Sequence, residues 1–502
     1  MNVSEPPAHV KSDKGLQADA LGLVGNIVMG LASVAPAYSL AATLGYVVAE
    51  VGEKSPSMFV LAFIPMLLVA FAYRELSHDT PDCGTTFTWA TKAFGPWIGW
   101  IGGWGLAVSA IIVLANVAEV AAIYLFRFLG LESLAENLIA KVLLGSFFII
   151  AMSLISARGI VLSERIQNIL IAIQFGVLII VSIIALVRVF SETAGDQAIS
   201  PQLSWLWPSG LDTSSIAQAV ILCIFIYWGW DTCLAVGEET RGSDKTPGRA
   251  AVITTLILVC TYVLVAYAVQ SFAGFGEEGI GLNNPENVDD VLTILGEPVS
   301  GGIVAALLLL TVSVSALSST QTTILPTARG TLSMAVYEAI PKRFAYVHPR
   351  YMTPAFGTIV MGVTALCFYL LLSFISRNAL ADSILSLGLA VAFYYGITAY
   401  ACVWYFRRTL FSSARNLFMR GILPLLGALA MTAAFGQSVV DMIEPDYGAT
   451  AYGPIGGVFV VGVGMLALGI PLMLLCFAFG TKRFFRGETL TPETQVKVPD
   501  VY

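Results

Sequence analysis

Gly30-Leu31-Ala32-Ser33-Val34-Ala35-Pro36-Ala37-Tyr38-Ser39 lies inside an apolar run, 21–49, that is long enough to cross a membrane. Pro36 removes an amide donor, and its ring pushes Ala35 away from helical dihedrals. The helix is therefore predicted to unwind around 33–36. Pro36 then suits the first turn of an outer half-helix, leaving the amides that follow it free to face an anion. A second apolar run carries Phe225-Ile226-Tyr227-Trp228-Gly229-Trp230-Asp231-Thr232, in which a glycine and an acid sit among aromatic residues near mid-depth. Unwinding there would free carbonyls at the end of a half-helix, where cations are attracted. Broken backbone inside a membrane is tolerated only where it is buried in protein or lines a cavity. Asp231 costs about 2.5–3.5 kcal/mol in lipid, so it is expected to face that cavity or a partner.

Twelve mostly apolar runs are present, near 21–49, 57–76, 97–126, 138–157, 166–190, 214–237, 250–272, 301–328, 355–375, 383–406, 419–440 and 453–480. The chain of 502 residues is 57% hydrophobic and only 12% charged, against about 25% charged in ordinary globular domains, which excludes a soluble fold. The two interruptions fall in runs 1 and 6, at matching places in two five-helix halves. That is the pattern of an inverted-repeat transporter with its site at the midplane. The predicted fold class is thus an all-α polytopic membrane protein with twelve transmembrane helices: a 5+5 inverted repeat with broken helices 1 and 6, plus two peripheral helices. Its parts are a disordered cytoplasmic head (1–19), a first repeat (20–190), a second repeat (191–410), two peripheral helices (411–480) and a cytoplasmic tail (481–502).

Charge sets the orientation. Lys54, Arg127, Lys141, Arg188 and Arg377 are the five basic residues in connections after odd-numbered runs; the remaining 21 of the 26 lie in the termini and even connections. Both termini are predicted to be cytoplasmic in a plasma (inner) membrane. The stretch 275–300 carries Glu277, Glu278, Glu286, Asp289, Asp290 and Glu297 without a Lys or Arg, and reads as an external loop. The three histidines show no metal-ligand spacing, and six of the seven cysteines lie in apolar runs, Cys83 being the exception. No metal, cofactor or nucleic acid is expected, and nothing sets an oligomeric state. The predicted partners are a small amine or amino acid, a coupling ion and the lipid bilayer.

Three ordered signatures carry a resemblance. Ala72-Tyr73-Arg74-Glu75-Leu76-Ser77 is followed by Pro81, Gly84, Phe87-Thr88-Trp89 and Phe94-Gly95-Pro96; Tyr227-Trp228-Gly229-Trp230-Asp231 by Gly237-Glu238-Glu239-Thr240 and Pro247-Gly248-Arg249; and Ala328-Arg329-Gly330 by Pro341, His348-Pro349-Arg350 and Thr353-Pro354. Together they resemble the amino acid-polyamine-organocation (APC) permeases. Ser33-Val34-Ala35-Pro36-Ala37, standing where that family usually has G-x-G-[IV]-F, resembles the branch that contains putrescine importers. The resemblance implies import by alternating access, with no enzyme activity. It also implies that a substrate carboxylate meets helix 1 near Ser33, Val34, Ala35 and Ala37. The amino group would meet carbonyls around Phe225, Ile226 and Trp228, with Gly229 opening the backbone, Trp228 and Trp230 shaping the pocket and Asp231 beside it.

Coupling is open between ions. Some proton-coupled members carry a helix 5 lysine where this chain has Gln174. Proton coupling through Asp231 or Glu119 is the favoured reading. A sodium ion held by Ser315, Ser318 and Ser319 is the alternative, since hard cations take oxygen ligands, and exchange is a third. Glu119 lies close to the outer end of its run and reads either as reaching water or as part of an acidic vestibule. Glu238 and Glu239, paired with Arg74 or Arg329, read as an inner gate or as a solvated loop. Tyr394 and Tyr395 join Trp228 and Trp230 as candidates for cation-π contact, against the plainer reading that they pack the core. A polyamine or cationic amine importer and an amino acid exchanger are the nearest alternatives. A channel or membrane enzyme is disfavoured, because two unlike breaks converge and no catalytic set occurs.

Overall fold

A computed structural model describes residues 14–288, 291–375, 382–383, 385–480 and 482–494. Asp289, Asp290 and Arg377, used above for orientation, lie outside the described residues, as do 1–13 of the head and 481 and 495–502 of the tail.

The described residues are mainly helical, with one two-stranded hairpin among them, Ala451–Tyr452 against Ile455–Gly456. In order, the helices that build the body are α1 (Leu23–Val34), α2 (Pro36–Val51), α3 (Ser55–Asp79), α4 (Thr86–Phe94), α5 (Pro96–Phe128), α6 (Glu132–Glu136), α7 (Leu138–Ala157) and α8 (Ile160–Phe190). They are followed by α9 (Thr213–Phe225), α10 (Thr232–Ala235), α11 (Thr246–Ala273), α12 (Val291–Ser300), α13 (Gly302–Val336), α14 (Ala355–Ile375) and α15 (Leu387–Tyr405). Leu423–Ile443, Gly457–Ala467 and Gly469–Phe479 complete the set. Among the described residues, ten helical stretches are long and apolar enough to cross a membrane. The first, Leu23–Asp79, holds 57 residues. At about 1.5 Å per residue that is nearly three times the hydrocarbon thickness, so it contains both the first and the second apolar runs. Thr213–Phe225 is apolar but shorter, because its helix stops at the break.

Burial sorts the helices into an outer and an inner set. α7 and α8 expose Leu143, Phe147, Ile150, Ile169, Ile180 and Ile183, which suit lipid. α1, α2, α5 and α13 are instead buried over most of their length and form the centre of the molecule. Their inward faces carry Ser33, Asn116, Ser315, Ser319 and Gln321, all buried. Polar side chains at the centre and apolar ones outside is the arrangement of a helical bundle enclosing a site.

Two features differ from the sequence reading. α4 is a nine-residue helix in what read as a polar connection; it is buried throughout its first seven residues and packs against α5 and α15. The second feature is the described part of the head. Residues 14–19, assigned to it, are packed: Lys14 and Leu16 are fully buried, and just beyond them Leu21 bonds as a strand would, its amide to the Glu239 carbonyl (2.9 Å) and its carbonyl to the Arg241 amide (2.9 Å). The physical reason is that Lys14 finds two buried carboxylates, which a polar count along the sequence does not reveal.

Candidate substrate site

The first break is confined to one residue. Ala35 takes φ 52° and ψ 64°, the left-handed region, between a helix ending at Val34 and one starting at Pro36. For a non-glycine residue this costs on the order of 1–3 kcal/mol and persists only where the surroundings hold it. They do so through hydroxyls. Ser319 Oγ donates to the Ser33 carbonyl at 2.9 Å, and Ser39 Oγ donates to the Val34 carbonyl at 2.8 Å. The Tyr38 amide donates to Ser315 Oγ at 3.2 Å. The Ala37 amide, one residue earlier in the same turn, has no protein partner among the described residues.

The second break is longer. α9 stops at Phe225, α10 starts at Thr232, and Gly229 between them has φ +110°. Of the carbonyls assigned to a substrate amine, that of Ile226 accepts from Tyr262 Oη at 2.6 Å and that of Phe225 from the Trp228 amide at 2.9 Å. Each carbonyl keeps a second lone pair, but neither is bare.

The breaks meet. Gly229 packs against Ser33, and Thr232 Oγ1 donates to Ser33 Oγ at 3.0 Å. From this junction the polar contacts run to Asp231, which is only 5% exposed. Tyr395 Oη donates to Oδ1 at 3.0 Å and Tyr394 Oη to Oδ2 at 3.1 Å. Trp228 Nε1 donates to Tyr394 Oη at 2.5 Å, while the Gly229 amide reaches Tyr395 Oη at 3.4 Å. Trp230 turns the other way. Its ring packs edge-to-face with Tyr73 and tilted against Tyr395, with centroids 5.1 Å from each, in an aromatic layer behind the carboxylate. Trp228 therefore belongs to the polar network, and Trp230 supports it from behind.

The coupling candidates separate into those near the breaks and those elsewhere. Ser315 and Ser319 tie α13 to the helix 1 break, as above. Ser318 Oγ donates to Gln167 Oε1, and Gln167 Nε2 donates to Gln321 Oε1 at 2.7 Å, making a buried amide layer between α8 and α13. Gln174, two turns further along α8, is fully buried, and neither of its amide atoms has a partner among the described residues. Glu119 is held apart from this centre in an ion pair with Lys141 at 3.0 Å.

Of the gate candidates, Arg329 and Glu239 form a two-pronged pair, Nε to Oε2 at 2.5 Å and Nη2 to Oε1 at 2.9 Å, both side chains fully buried. Arg74 does not join them. It bonds Glu75 at 3.1 Å, and Glu75 also receives Arg415 at 2.7 Å and Arg420 at 2.9 Å. Arg74 therefore belongs to a separate cluster around Glu75 and is not a partner for Glu238 or Glu239; its adjacent carboxylate, one residue on, captures it first. Glu238 instead pairs with Lys14, a residue that sequence reasoning did not single out. Ligating atoms of Asp82, Cys83 and Glu238 lie within 4.8 Å of one another. The Lys14 ammonium bonds both carboxylates, so it supplies the positive charge that this trio would otherwise need from a metal ion.

A polytopic helical bundle with two broken helices meeting at a buried acid defines a membrane transporter. The amino acid permease family model matches residues 17–466, and the chain belongs to that family, whose members are transporters and not enzymes. Among its relatives, the low-affinity putrescine importer PlaP of Escherichia coli K12 is 24% identical over 418 residues, covering 82% of this chain and 87% of that protein. The methylthioribose transporter of Bacillus subtilis is 23% identical over 322 residues, 61% of this chain and 65% of its own. The branched-chain amino acid permease BcaP of the same species is 23% identical over 319 residues, 61% and 64%.

Proposed function

We propose that the chain is a secondary active transporter importing amino acids or small organic amines across the plasma membrane by alternating access. The reading includes twelve spans, both termini in the cytoplasm, and an inner gate built on Arg329 and Glu239. One observation carries it. Asp231, buried where the two broken helices meet, receives only two neutral phenol donors and has no Lys, Arg or His partner among the described residues. A carboxylate so placed is compensated by one proton or by one ammonium, and alternation between the two couples amine entry to proton movement. Proton coupling is accordingly favoured over sodium: of the candidate sodium ligands, Ser315 Oγ already accepts the Tyr38 amide, and Ser318 is drawn into the amide layer by Gln167.

The Ala37 amide and the α2 terminus supply the complementary end of the site, suited to a carboxylate. A cationic amine without a carboxylate is the second reading, favoured by the Trp228, Tyr394 and Tyr395 rings around the acid and by the similarity to a putrescine importer. Uptake of labelled amino acids and of putrescine into proteoliposomes, under imposed proton or sodium gradients, tests both. Saturable, proton-driven uptake of one of these is expected. A flux that never saturates would point to a channel instead.

A further inference from the structure

Residues 14–22 run across one end of the bundle before α1 begins, the end proposed above to face the cytoplasm, and they bind several segments that meet there. Lys14 Nζ donates to Asp82 Oδ2 at 2.8 Å and to Glu238 Oε1 at 2.5 Å. Leu16 packs with Cys83 and Leu332, all three fully buried. Beyond Leu16, Leu21 pairs with 239–241, Arg241 Nε bonds the Asp19 carbonyl at 3.1 Å, and Asn26 Nδ2 bonds Thr240 Oγ1 at 2.7 Å. The strap thus joins three parts: the start of helix 1, the stretch following α10, and the α3–α4 connection with the end of α13.

Asp82 is the fixed point. Its Oδ1 accepts from the Gly84 amide at 2.7 Å, Thr88 Oγ1 at 2.8 Å and Ser333 Oγ at 2.7 Å; its Oδ2 accepts from Tyr337 Oη at 2.9 Å as well as from Lys14. It therefore belongs rigidly to α4 and α13. Glu238, on the helix 6 side, receives the Cys83 amide at 2.9 Å in addition to Lys14. A single ammonium, attached to helix 1, holds the helix 6 carboxylate to the α4–α13 carboxylate. Without it two buried like charges face one another, which is unfavourable.

We infer that Lys14 is the bolt of the cytoplasmic gate: a positioning residue whose withdrawal lets the inner halves of helices 1 and 6 leave the α4–α13 wall together. This rests on the alternating-access reading for its role in transport, but the latch can be tested without any substrate. Cys83 sits beneath the strap, its amide on Glu238 and its Sγ against the Arg329 carbonyl at 3.4 Å, and it is fully buried. It reports opening directly.

The experiment is alkylation of the full-length protein in lipid nanodiscs by a charged maleimide, followed at Cys83 by peptide mass spectrometry, so that reaction at exposed Cys260 and Cys367 is counted separately. Lys14→Met and Lys14→Gln are expected to react roughly ten- to a hundredfold faster than wild type, the loss of a charged buried hydrogen bond being the difference. Lys14→Arg, which restores the charge, should stay near the wild-type rate. Leu16→Ala loosens the same strap without stranding a charge and should shift the rate in the same direction. Wild-type rates in folded Lys14→Met or Lys14→Gln, or in Leu16→Ala should the Lys14 variants fail to fold, would overturn the inference. So would an Arg variant that reacts as fast as Met. Absent uptake with a protected Cys83 defeats the transport reading alone; a freely reactive wild-type Cys83 defeats the latch alone.

Discussion

Gly229 meets Ser33 at a distance that admits no side chain: a Cβ on Gly229 would lie 2.8 Å from Ser33 Oγ and 2.9 Å from the Ser33 carbonyl carbon. The two broken segments are in contact at that point, and the φ of +110° independently demands glycine. Gly229→Ala is expected to cost roughly 1–3 kcal/mol from the backbone alone. It should also part the two breaks and abolish most saturable uptake. Gly229→Leu should abolish all of it. Proteoliposome uptake alongside the thermal midpoint in detergent separates loss of the site from loss of the fold; wild-type uptake by the Leu variant would remove this contact from the site.

Asp231→Asn keeps the size of the side chain and an acceptor for one tyrosine, but not the charge. Amine uptake is expected to disappear while the thermal midpoint holds or rises, because a buried charge without a counter-ion is removed. Glu119→Gln provides the contrast. Its pair with Lys141 is only partly buried, so the effect should stay within about 1 kcal/mol and uptake should persist. Equal transport by both variants would leave the central acid without a role.

How much of this was legible in the sequence depends on the length scale of each signal. Pro36 and Gly229 act on their own backbone, so both breaks could be located from local chemistry, although the first proved to be one residue wide because Ser39 and Ser319 satisfy the freed carbonyls. Most of the apolar runs fall on helices, ten stretches among the described residues being long and apolar enough to cross a membrane, since lipid selects for length and hydropathy alone. What escaped was contact between distant segments. Tyr262 covering the Ile226 carbonyl, 36 residues away, has no local signature. Neither has the pairing of Lys14 with Asp82 across 68 residues. A lysine in a polar stretch ahead of the first helix reads as solvated. The adjacent Tyr394 and Tyr395 were a usable hint, as aromatic hydroxyls side by side in an apolar helix need an acceptor.

Tyr394 and Tyr395 both bond Asp231, yet they are not equivalent. Tyr394 Oη also accepts from Trp228 Nε1, so Tyr394→Phe strands a buried indole donor as well as one carboxylate oxygen. That variant should lose about 1–3 kcal/mol of stability and raise the KM for uptake. Tyr395→Phe leaves Trp228 paired and removes, besides its own bond to Asp231, only the longer contact from the Gly229 amide (3.4 Å), so it should affect affinity with a smaller loss of stability. Parallel thermal and uptake titrations check the order; identical losses would mean that the Trp228 bond contributes nothing.

Arg329 and Glu239 are fully buried partners, and such pairs are best judged by removing one side at a time. Arg329→Gln should destabilise the protein by about 3–5 kcal/mol, because the Glu239 carboxylate is left without compensation. Combining it with Glu239→Gln should recover much of that loss. A double-mutant cycle on thermal stability measures the coupling, which is expected to exceed the additive limit for independent sites, about 0.5 kcal/mol. Strict additivity would show that the two charges do not act on each other.

The Lys14 lock is expected to be insensitive to pH over the range in which the transporter works. Burial pushes the Asp82 carboxyl up, but the Lys14 charge, its hydrogen bond and those of Ser333 and the Gly84 amide outweigh burial and hold it down to about 2, against an ordinary 3.8. For a carboxyl lowered on folding, the stabilisation is present above its ordinary value and is lost only as pH falls through the lowered one. Lys14 behaves oppositely. Burial works to lower it, while Asp82, Cys83, Glu238 and Tyr337, the titratable groups that face it, raise it well above 10.5. Its contribution is therefore complete below 10.5 and is lost only as pH rises through the still higher folded value. The Cys83 thiol is itself pushed up by burial and by Glu238, so it reacts only after the strap has opened. The rate of Cys83 alkylation in wild type, divided by that in Lys14→Met to cancel the reagent's own pH dependence, should hence be constant from about pH 5 to about pH 9. A ratio that climbs toward one below about pH 6 would mean that protons open the inner seal directly. A constant ratio beside a pH-dependent uptake rate would assign the proton to the centre of the membrane, where Asp231 is proposed to receive the amine.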